Sequence, residues 1–306
     1  MHMWNVTPTQ NNLYDCFFGS IVSFAESYEL DFEMSLLGMW GFRSDKAIDH
    51  LITQNCLRLL AESHGLFIQE TSLQNFSQLL NFITENIHKS PIIVSIDAIN
   101  CPWCLTYQKY HFEHFILIVD LKVNSFMCVD SYFSDVNVNE IGFEQFKDWK
   151  GTTYQINRKL ESLTEASTHK LFICIYNQLL ETNMLKTLQT FLYGIISEKL
   201  IELINQSYDA DLYAIPLIIR LKRLAEDRQC FAKGLEYMKK VKNCIEVDDL
   251  IIGSMECSDR YTALKNIILR QLIQNKPNYK SIFNQCNAII AQETKNINLL
   301  LELIKQ

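Results

Sequence analysis

The residues His111–Asp130, HFEHFILIVDLKVNSFMCVD, carry the strongest strand pattern of the chain and define the centre of a predicted sheet. Phe115–Val119 is a continuous apolar run typical of a buried strand, and Ser125–Val129 is a second strand-like run. A short polar turn separates them, which predicts a β-hairpin. Because hairpin strands are antiparallel, we expect His114, before the first strand, and Asp130, after the second, to lie side by side.

Helix and strand patterns alternate around this hairpin. Leu13–Tyr28 and Phe76–Ile87 repeat apolar residues at helical spacing, whereas short β-branched or apolar runs predict further strands. These additional strands are predicted at 66–69, 91–97, 154–157 and 171–176. After residue 176 the pattern is helical, with helices predicted at 184–205, 214–225, 230–241, 261–274 and 282–304.

Length and charge predict two domains. The chain has 306 residues, enough for about two domains of ordinary size. Residues 1–160 contain 10 basic and 18 acidic residues, whereas the remainder contains 18 and 17, so the character of the chain changes near residue 160. We predict an α+β fold, in which a catalytic domain (1–177) packs an N-terminal helix on an antiparallel sheet and precedes an all-helical domain (178–306).

Composition excludes several classes of protein. With 48% hydrophobic and 21% charged residues, the chain is neither disordered nor collagen-like. A net charge of −7 argues against a general nucleic-acid binder. The longest apolar runs are shorter than the roughly 20 residues of a membrane-spanning helix, so we expect no membrane segment. The N-terminus lacks a secretory pattern, so we expect a cytoplasmic protein whose ten cysteines are reduced.

Four residues suggest nucleophilic catalysis. Cys16 lies in the first turn of the first predicted helix, where the aligned backbone dipoles favour a thiolate. His114 can exchange protons with that thiol, and Asp130 can fix the tautomer of the imidazole. Gln10, six residues before the cysteine, could donate its amide to an oxyanion beside the backbone N–H of Cys16.

The order of glutamine, helical cysteine, histidine and carboxylate resembles that of papain-like enzymes. The local sequence is similar to the N-terminal domain of the butirosin biosynthesis protein H family over roughly residues 10–160. It departs from that family in two respects: Asp15 stands where a histidine commonly precedes the nucleophile, and Met39 and Trp40 interrupt the glycine-rich segment. The similarity is carried by PIIVSID (91–97), the aromatic loop with Pro102, Trp103 and Tyr107, HFEH (111–114), the Cys16 helix and LLGMWGF (36–42).

The resemblance implies a papain-like fold that transfers acyl groups. Such an enzyme takes an acyl or peptidyl group from the phosphopantetheine thioester of a carrier protein and passes it to an amine, forming an amide in natural-product biosynthesis. Cys16 would be the acyl acceptor, His114 the general base and acid, Asp130 the orienting carboxylate and Gln10 the oxyanion donor. No metal or other cofactor is expected, since the substrate arrives as the thioester. Residues expected to contact the substrate are Trp40, Trp103, Tyr107 and His111.

The expected partner, an acidic acyl or peptidyl carrier protein, requires a basic surface. Residues 220–242 contain eight basic and three acidic residues, which fits either a solvated helical face or a docking site for such a carrier. Within this segment we predict carrier contacts at Arg220, Arg223, Lys239 and Lys240.

Several alternatives remain open from the sequence. The same three catalytic residues would serve a cysteine peptidase or amidase, and a catalytically silent binding module is a third possibility. Cys101 and Cys104 form a C-x-x-C pair near His111 and His114, which also suggests a zinc or redox site. The gap to His111 is short for a zinc finger, and His111 and His114 would point to different faces of a strand. His111 is also the rival general base.

Overall fold

The structure is a computed structural model that describes residues 4–11, 13–41, 48–109, 111–134, 138–158, 168–196, 215–242, 245–274, 276 and 278–305. The chain divides into two compact units. The sheet unit comprises residues 1–32 and 60–163, and the helical unit comprises residues 33–59 and 164–306. This division differs from the predicted boundary at residue 177, because an early segment and residues 164–177 belong to the helical unit.

The sheet unit contains a six-stranded antiparallel sheet in the order β1-β6-β2-β3-β4-β5. Together with the helices around it, this sheet confirms the predicted α+β class. The short strand β5 was not predicted, because its sequence NEIG contains one large apolar residue. The strands are β1 (Leu66–Leu73), β2 (Ile92–Asp97), β3 (Glu113–Leu121), β4 (Ser125–Val129), β5 (Asn139–Gly142) and β6 (Gly151–Arg158).

The predicted hairpin is formed by β3 and β4. Its register pairs Leu117 with Val129. The open end of the hairpin therefore carries the first residues of β3 and the residue that follows β4. This geometry brings His114 and Asp130 to the same edge of the sheet, as the sequence predicted.

Helix α1 (Cys16–Ser27) begins at the predicted nucleophile. The helix starts there because the side chain of Asp15 caps it, accepting a hydrogen bond from the backbone N–H of Phe18 at 2.6 Å. Phe17 packs edge-on against Phe115 of β3, with ring centroids 5.2 Å apart, and so fixes α1 on the sheet.

Helix α3 (Phe76–Asn86) covers the opposite face of the sheet. Its fully buried Leu79 and Ile83 belong to a core with Ile116 and Ile118 of β3. Because side chains alternate along a strand, these two isoleucines face away from Phe115 and from α1. The central strands are thus buried on both faces, which explains their continuous apolar sequence.

The helical unit includes a segment that was predicted as a strand. Residues 171–176 lie inside helix α4 (Thr168–Glu181). Its buried residues Leu171, Phe172, Ile175 and Leu179 recur at helical spacing, so burial along one helical face outweighs the β-branched composition of the short run.

Four other helices of this unit follow the predicted apolar periodicity. The predictions at 214–225 and 230–241 describe one continuous helix, and that at 261–274 is the second half of a longer one. Residues 197–214, which include the end of the predicted helix 184–205, lie outside the described residues. Among the described residues, the remaining α-helices are α2 (Ile48–His64), which was not predicted, α5 (Met184–Gly194), α6 (Pro216–Lys242), α7 (Asp248–Gln274) and α8 (Tyr279–Lys305).

A buried ion pair lies in the helical unit. Arg228 Nε and Glu293 Oε1 are 2.7 Å apart, and both side chains are fully buried. The same carboxylate accepts hydrogen bonds from Tyr261 Oη at 2.9 Å and from Trp40 Nε1 at 3.1 Å. Four parts of the chain are thus joined through one glutamate.

Gly38 permits a close backbone approach in the helical unit. A Cβ atom there would lie 2.7 Å from the backbone nitrogen of Cys56 and 2.9 Å from the carbonyl carbon of Asn55. Because backbone atoms cannot move aside cheaply, Gly38→Ala is expected to lower the free energy of unfolding by about 1–3 kcal/mol in urea denaturation.

Gly194→Ala is the matched control for this prediction. A Cβ at Gly194, at the end of α5, would meet no heavy atom within 4 Å. Its stability should be unchanged or higher by up to about 1 kcal/mol, as expected for Gly→Ala in a helix. Equal unfolding midpoints for Gly38→Ala and the unsubstituted chain would contradict the close approach.

Among the helices in the described part of the chain, none combines the length and apolar character that a membrane span requires.

Candidate active site

The centre of the site is a buried histidine–aspartate pair. Nε2 of His114 lies 2.6 Å from Oδ2 of Asp130, and neither side chain is exposed to solvent. A carboxylate can only accept a hydrogen bond, so Nε2 carries the proton and Nδ1 is left with a lone pair. This Nδ1 is buried and has no hydrogen-bond partner among the described residues.

Asp130 is held by three further donors. Its Oδ2 accepts from Trp103 Nε1 at 2.7 Å, and its Oδ1 accepts from the backbone N–H groups of Tyr132 at 2.8 Å and Phe133 at 3.2 Å. Burial alone would raise the pKa of the Asp130 carboxyl, but the hydrogen bond and charge of His114, with the Trp103 and Tyr132 donors, hold this pKa below its ordinary value. The carboxylate is therefore ionised and fixed in orientation.

Two cysteines adjoin this pair. Cys101 and Cys104 are buried in the loop after β2, where the backbone N–H of Cys104 donates to the carbonyl of Cys101 at 3.0 Å. One potential ligand atom from each of Cys101, Cys104, His114 and Asp130 lies within 4.8 Å of the others. The nine cysteines that the structure describes are free thiols, and Cys244 lies outside the described residues.

Cys16 lies at the N-terminus of α1 and is partly exposed. The hydrogen bond with Cys101 and burial raise the pKa of the Cys104 thiol most strongly, and a negative charge on Cys16 would raise it further. Helix α1 also approaches the end of β4, because a Cβ at Gly19 would clash with Oγ of Ser131. The nucleophile predicted from the sequence is therefore on the helix that packs beside Asp130.

Gln10 lies in an exposed position before α1. Its side-chain amide donates to the carbonyl of Pro8 at 3.5 Å, a long hydrogen bond that would have to be exchanged for contact with an oxyanion. Its role as an oxyanion donor stays a prediction.

The residues predicted to contact substrate occupy different environments. Trp103 is half-buried and is fixed by Asp130, and Tyr107 is half-buried in the same loop. His111 is exposed and pairs with Asp97 at 2.7 Å, apart from the buried cluster. Trp40 is fully buried in the core of the helical unit, where its ring packs against Phe231 at 4.7 Å. Packing and a hydrogen bond to Glu293 already occupy the Trp40 indole.

The predicted carrier-docking residues all lie on α6. Arg223 pairs with Asp227 at 3.0 Å, and Lys239 pairs with Asp248 at 2.6 Å. The Arg220 guanidinium lies 4.8 Å from the centre of the Phe191 ring, and Lys240 is exposed. Neighbouring acidic groups thus partly offset the basic character of this helix, and its docking role stays a prediction.

Sequence reasoning placed the C-x-x-C pair near His111 and His114 but did not join it to Asp130. The spacing to His111 argued against a cluster, but His111 is not a member; His114 and Asp130 are. The loop 101–109 follows β2, and Ile96, near the end of β2, is paired with His114 in the sheet. This pairing was the signal that the sequence analysis missed. That pairing returns the loop to the edge where His114 lies.

The fold and the site define an α+β protein with a buried cysteine–histidine–aspartate cluster at one edge of an antiparallel sheet. A scan against protein-family models and a search of curated proteins each found no match to this chain.

Proposed function

We propose that the protein is a cysteine-dependent acyltransferase with a papain-like catalytic unit. The observation that carries the proposal is the buried His114–Asp130 pair, whose Nδ1 is available for a proton and which lies at the sheet edge approached by α1. An oriented imidazole and a thiol at a helix N-terminus are the groups that covalent acyl transfer needs. Cys16 is the nucleophile, His114 the base and acid, and Asp130 the orienting group.

The reaction has two balanced steps. His114 Nδ1 takes the Cys16 proton, the thiolate attacks the thioester carbonyl, and the carbon–sulfur bond to phosphopantetheine breaks as its sulfur receives that proton. An amine then attacks the acyl-enzyme, His114 takes the amine proton, and the Cys16 sulfur leaves and is reprotonated. The products are an amide and the free enzyme. Water in place of the amine would give hydrolysis with the same residues.

The acyl donor in this proposal is a carrier protein. Its acidic surface would meet the basic residues of α6, of which Lys240 is exposed. Transfer to an amine and the carrier as donor are both inferred from the resemblance to the butirosin biosynthesis protein H family. The acceptor is a small-molecule amine.

Intact-mass spectrometry tests this function. The full chain is incubated, with a metal chelator present, with acyl-pantetheine thioesters of varied chain length, and masses are recorded before and after an amine is added. We expect one acyl adduct per chain, no adduct on Cys16→Ala, and faster discharge by the amine than by water. Cys174→Ala, which removes another partly exposed thiol, should acylate normally.

Three results would oppose the proposal. The same adduct on Cys16→Ala would show that a different nucleophile reacts. No adduct from any thioester, while Cys16 still reacts with a thiol reagent, would favour a binding module. Discharge by water at the same rate with and without amine would instead indicate a hydrolase.

A further inference from the structure

A second set of functional groups surrounds His114. Cys101 and Cys104 are the first and fourth residues of one turn, and their sulfur atoms, a nitrogen of His114 and an oxygen of Asp130 lie within 4.8 Å of one another. All four residues are buried. The acyl-transfer chemistry uses His114 and Asp130 but has no role for the two cysteines.

These groups are typical ligands of zinc. Thiolate sulfur and imidazole nitrogen together suit a borderline-soft divalent ion, and four ligands at zinc–sulfur distances of about 2.3 Å and zinc–nitrogen distances of about 2.0 Å are about 3.3–3.8 Å apart. In the structure, the corresponding atoms of the four residues lie at most 4.8 Å apart, which exceeds the spacing in a zinc site by no more than about 1–1.5 Å. Small side-chain rotations would therefore close the set around an ion.

The unpartnered nitrogen of His114 independently indicates a ligand. Its side chain is fully buried, Nε2 is held by Asp130, and Nδ1 has no partner in the described part of the chain. A buried polar atom without a partner is costly, which a bound ion would relieve. Histidine ligands of metals commonly donate their second N–H to a carboxylate, which is the arrangement of His114 and Asp130.

We infer that Cys101, Cys104 and His114 bind one zinc ion, with Asp130 holding the imidazole through Nε2. Three protein ligands leave a fourth coordination position, as in catalytic rather than closed structural zinc sites. His111, which counted against a zinc site in the sequence, is exposed, paired with Asp97 and not needed.

Metal binding must displace two protons. Cysteine binds zinc as the thiolate, so the thiol protons of Cys101 and Cys104 leave when the ion binds. Binding therefore converts two thiols into thiolates and releases two protons for each ion, which makes the affinity rise with pH. Two thiolates and one neutral imidazole balance the charge of Zn²⁺.

The site has a consequence that rests on the proposed acyl transfer. A zinc ion on Nδ1 of His114 occupies the lone pair that would accept the Cys16 proton. Zinc and acylation would then compete for the same nitrogen. Stoichiometric Zn²⁺ is expected to suppress acylation, and a chelator to restore it.

Cobalt substitution tests the site directly. The chelator-treated full chain is titrated with Co²⁺ while absorption is recorded. We expect thiolate-to-cobalt charge-transfer absorption that saturates at one ion per chain, release of two protons per ion, and loss of the absorption when Zn²⁺ is added. Cys101→Ser or Cys104→Ser should abolish this absorption, and Asp130→Asn should weaken binding about 10–100-fold. Cys174→Ser is the control and should bind normally.

Protection from alkylation provides a test on the unsubstituted chain. Zinc should slow alkylation of Cys101 and Cys104 but not of Cys174, as read by peptide mass spectrometry. Absence of charge-transfer absorption at stoichiometric Co²⁺, or its persistence in both serine variants, would overturn the zinc site. The acyl-transfer proposal is judged separately, because Cys16→Ala should lose acylation in chelator yet keep the cobalt absorption.

Discussion

Glu293→Gln is expected to destabilise the helical unit by about 3–5 kcal/mol. The substitution keeps the shape of the side chain but removes the negative charge opposite Arg228. It also leaves a single oxygen to accept from Tyr261 or Trp40, which donate to Oε1 and Oε2 of Glu293 respectively. The guanidinium is fully buried, and its Nη1 and Nη2 atoms have no hydrogen-bond partner among the described residues. Without the carboxylate, the positive charge would be left uncompensated in a low-dielectric core.

The pKa of Arg228 reflects this pairing. Burial lowers the pKa of the guanidinium, but Glu293 and, to a smaller extent, Tyr261, Cys257 and Asp227 together outweigh burial and leave the pKa above its ordinary value. Arg228 stays charged when Glu293 is replaced, so the substitution removes the main counter-charge of a buried cation. The destabilisation should be nearly constant across neutral pH.

A double variant separates the charge from the packing. Arg228→Met with Glu293→Gln removes both charges and should be clearly less destabilised than Glu293→Gln alone. Glu256→Gln, on the exposed side of α7, is the control and should change stability by less than about 0.5 kcal/mol. Hydrogen exchange of α6–α8 peptides in increasing urea reports on this unit. A double variant as unstable as the single one would show that the ion pair is not the cause.

The hairpin and the pairing of His114 with Asp130 were predictable because they depend on local signals. Two apolar runs with a polar turn specify a hairpin, and the antiparallel geometry then specifies which residues meet. Likewise, Asp15 before an amphipathic run marks the start of α1 and so the position of Cys16. Such features need no knowledge of the rest of the chain.

The features that were missed depend on distant parts of the chain. The composition of the run 171–176 is typical of a strand. It is helical because Leu171, Ile175 and Leu179 are buried along one face of a longer helix. Residues 33–59 belong to the helical unit because Gly38 and Trp40 pack there, which no local pattern indicates. Cys101 and Cys104 lie close to His114 because the loop 101–109 starts at the edge of the sheet where His114 lies.

Asp130→Asn is expected to slow acylation of Cys16 by on the order of 10²–10⁴-fold. The side-chain oxygen of an asparagine can still accept hydrogen bonds from the backbone N–H groups of Tyr132 and Phe133. Turned toward His114, however, its amide N–H donates to Nε2, which forces the proton onto Nδ1. The nitrogen that must accept the Cys16 proton is then already protonated.

Asp97→Asn distinguishes the two candidate bases. Asp97 pairs with the exposed His111 as Asp130 pairs with the buried His114, at 2.7 Å and 2.6 Å respectively. If His114 is the base, Asp97→Asn should change the acylation rate by no more than a few-fold, because an exposed pair is weakly coupled and solvated. A large loss in Asp97→Asn with little change in Asp130→Asn would instead identify His111 as the base.

The pH dependence provides a further check on Asp130. Because the pKa of Asp130 is held below its ordinary value, the carboxylate persists as the pH falls to about 4 and is lost only as the pH falls through its folded-state pKa. In the unsubstituted chain, a fall in the acylation rate at pH values above about 4 must therefore come from protonation of a group other than Asp130. In Asp130→Asn the rate should be low across the whole neutral range, whereas a rate that recovers at higher pH would mean that the carboxylate acts only by charge.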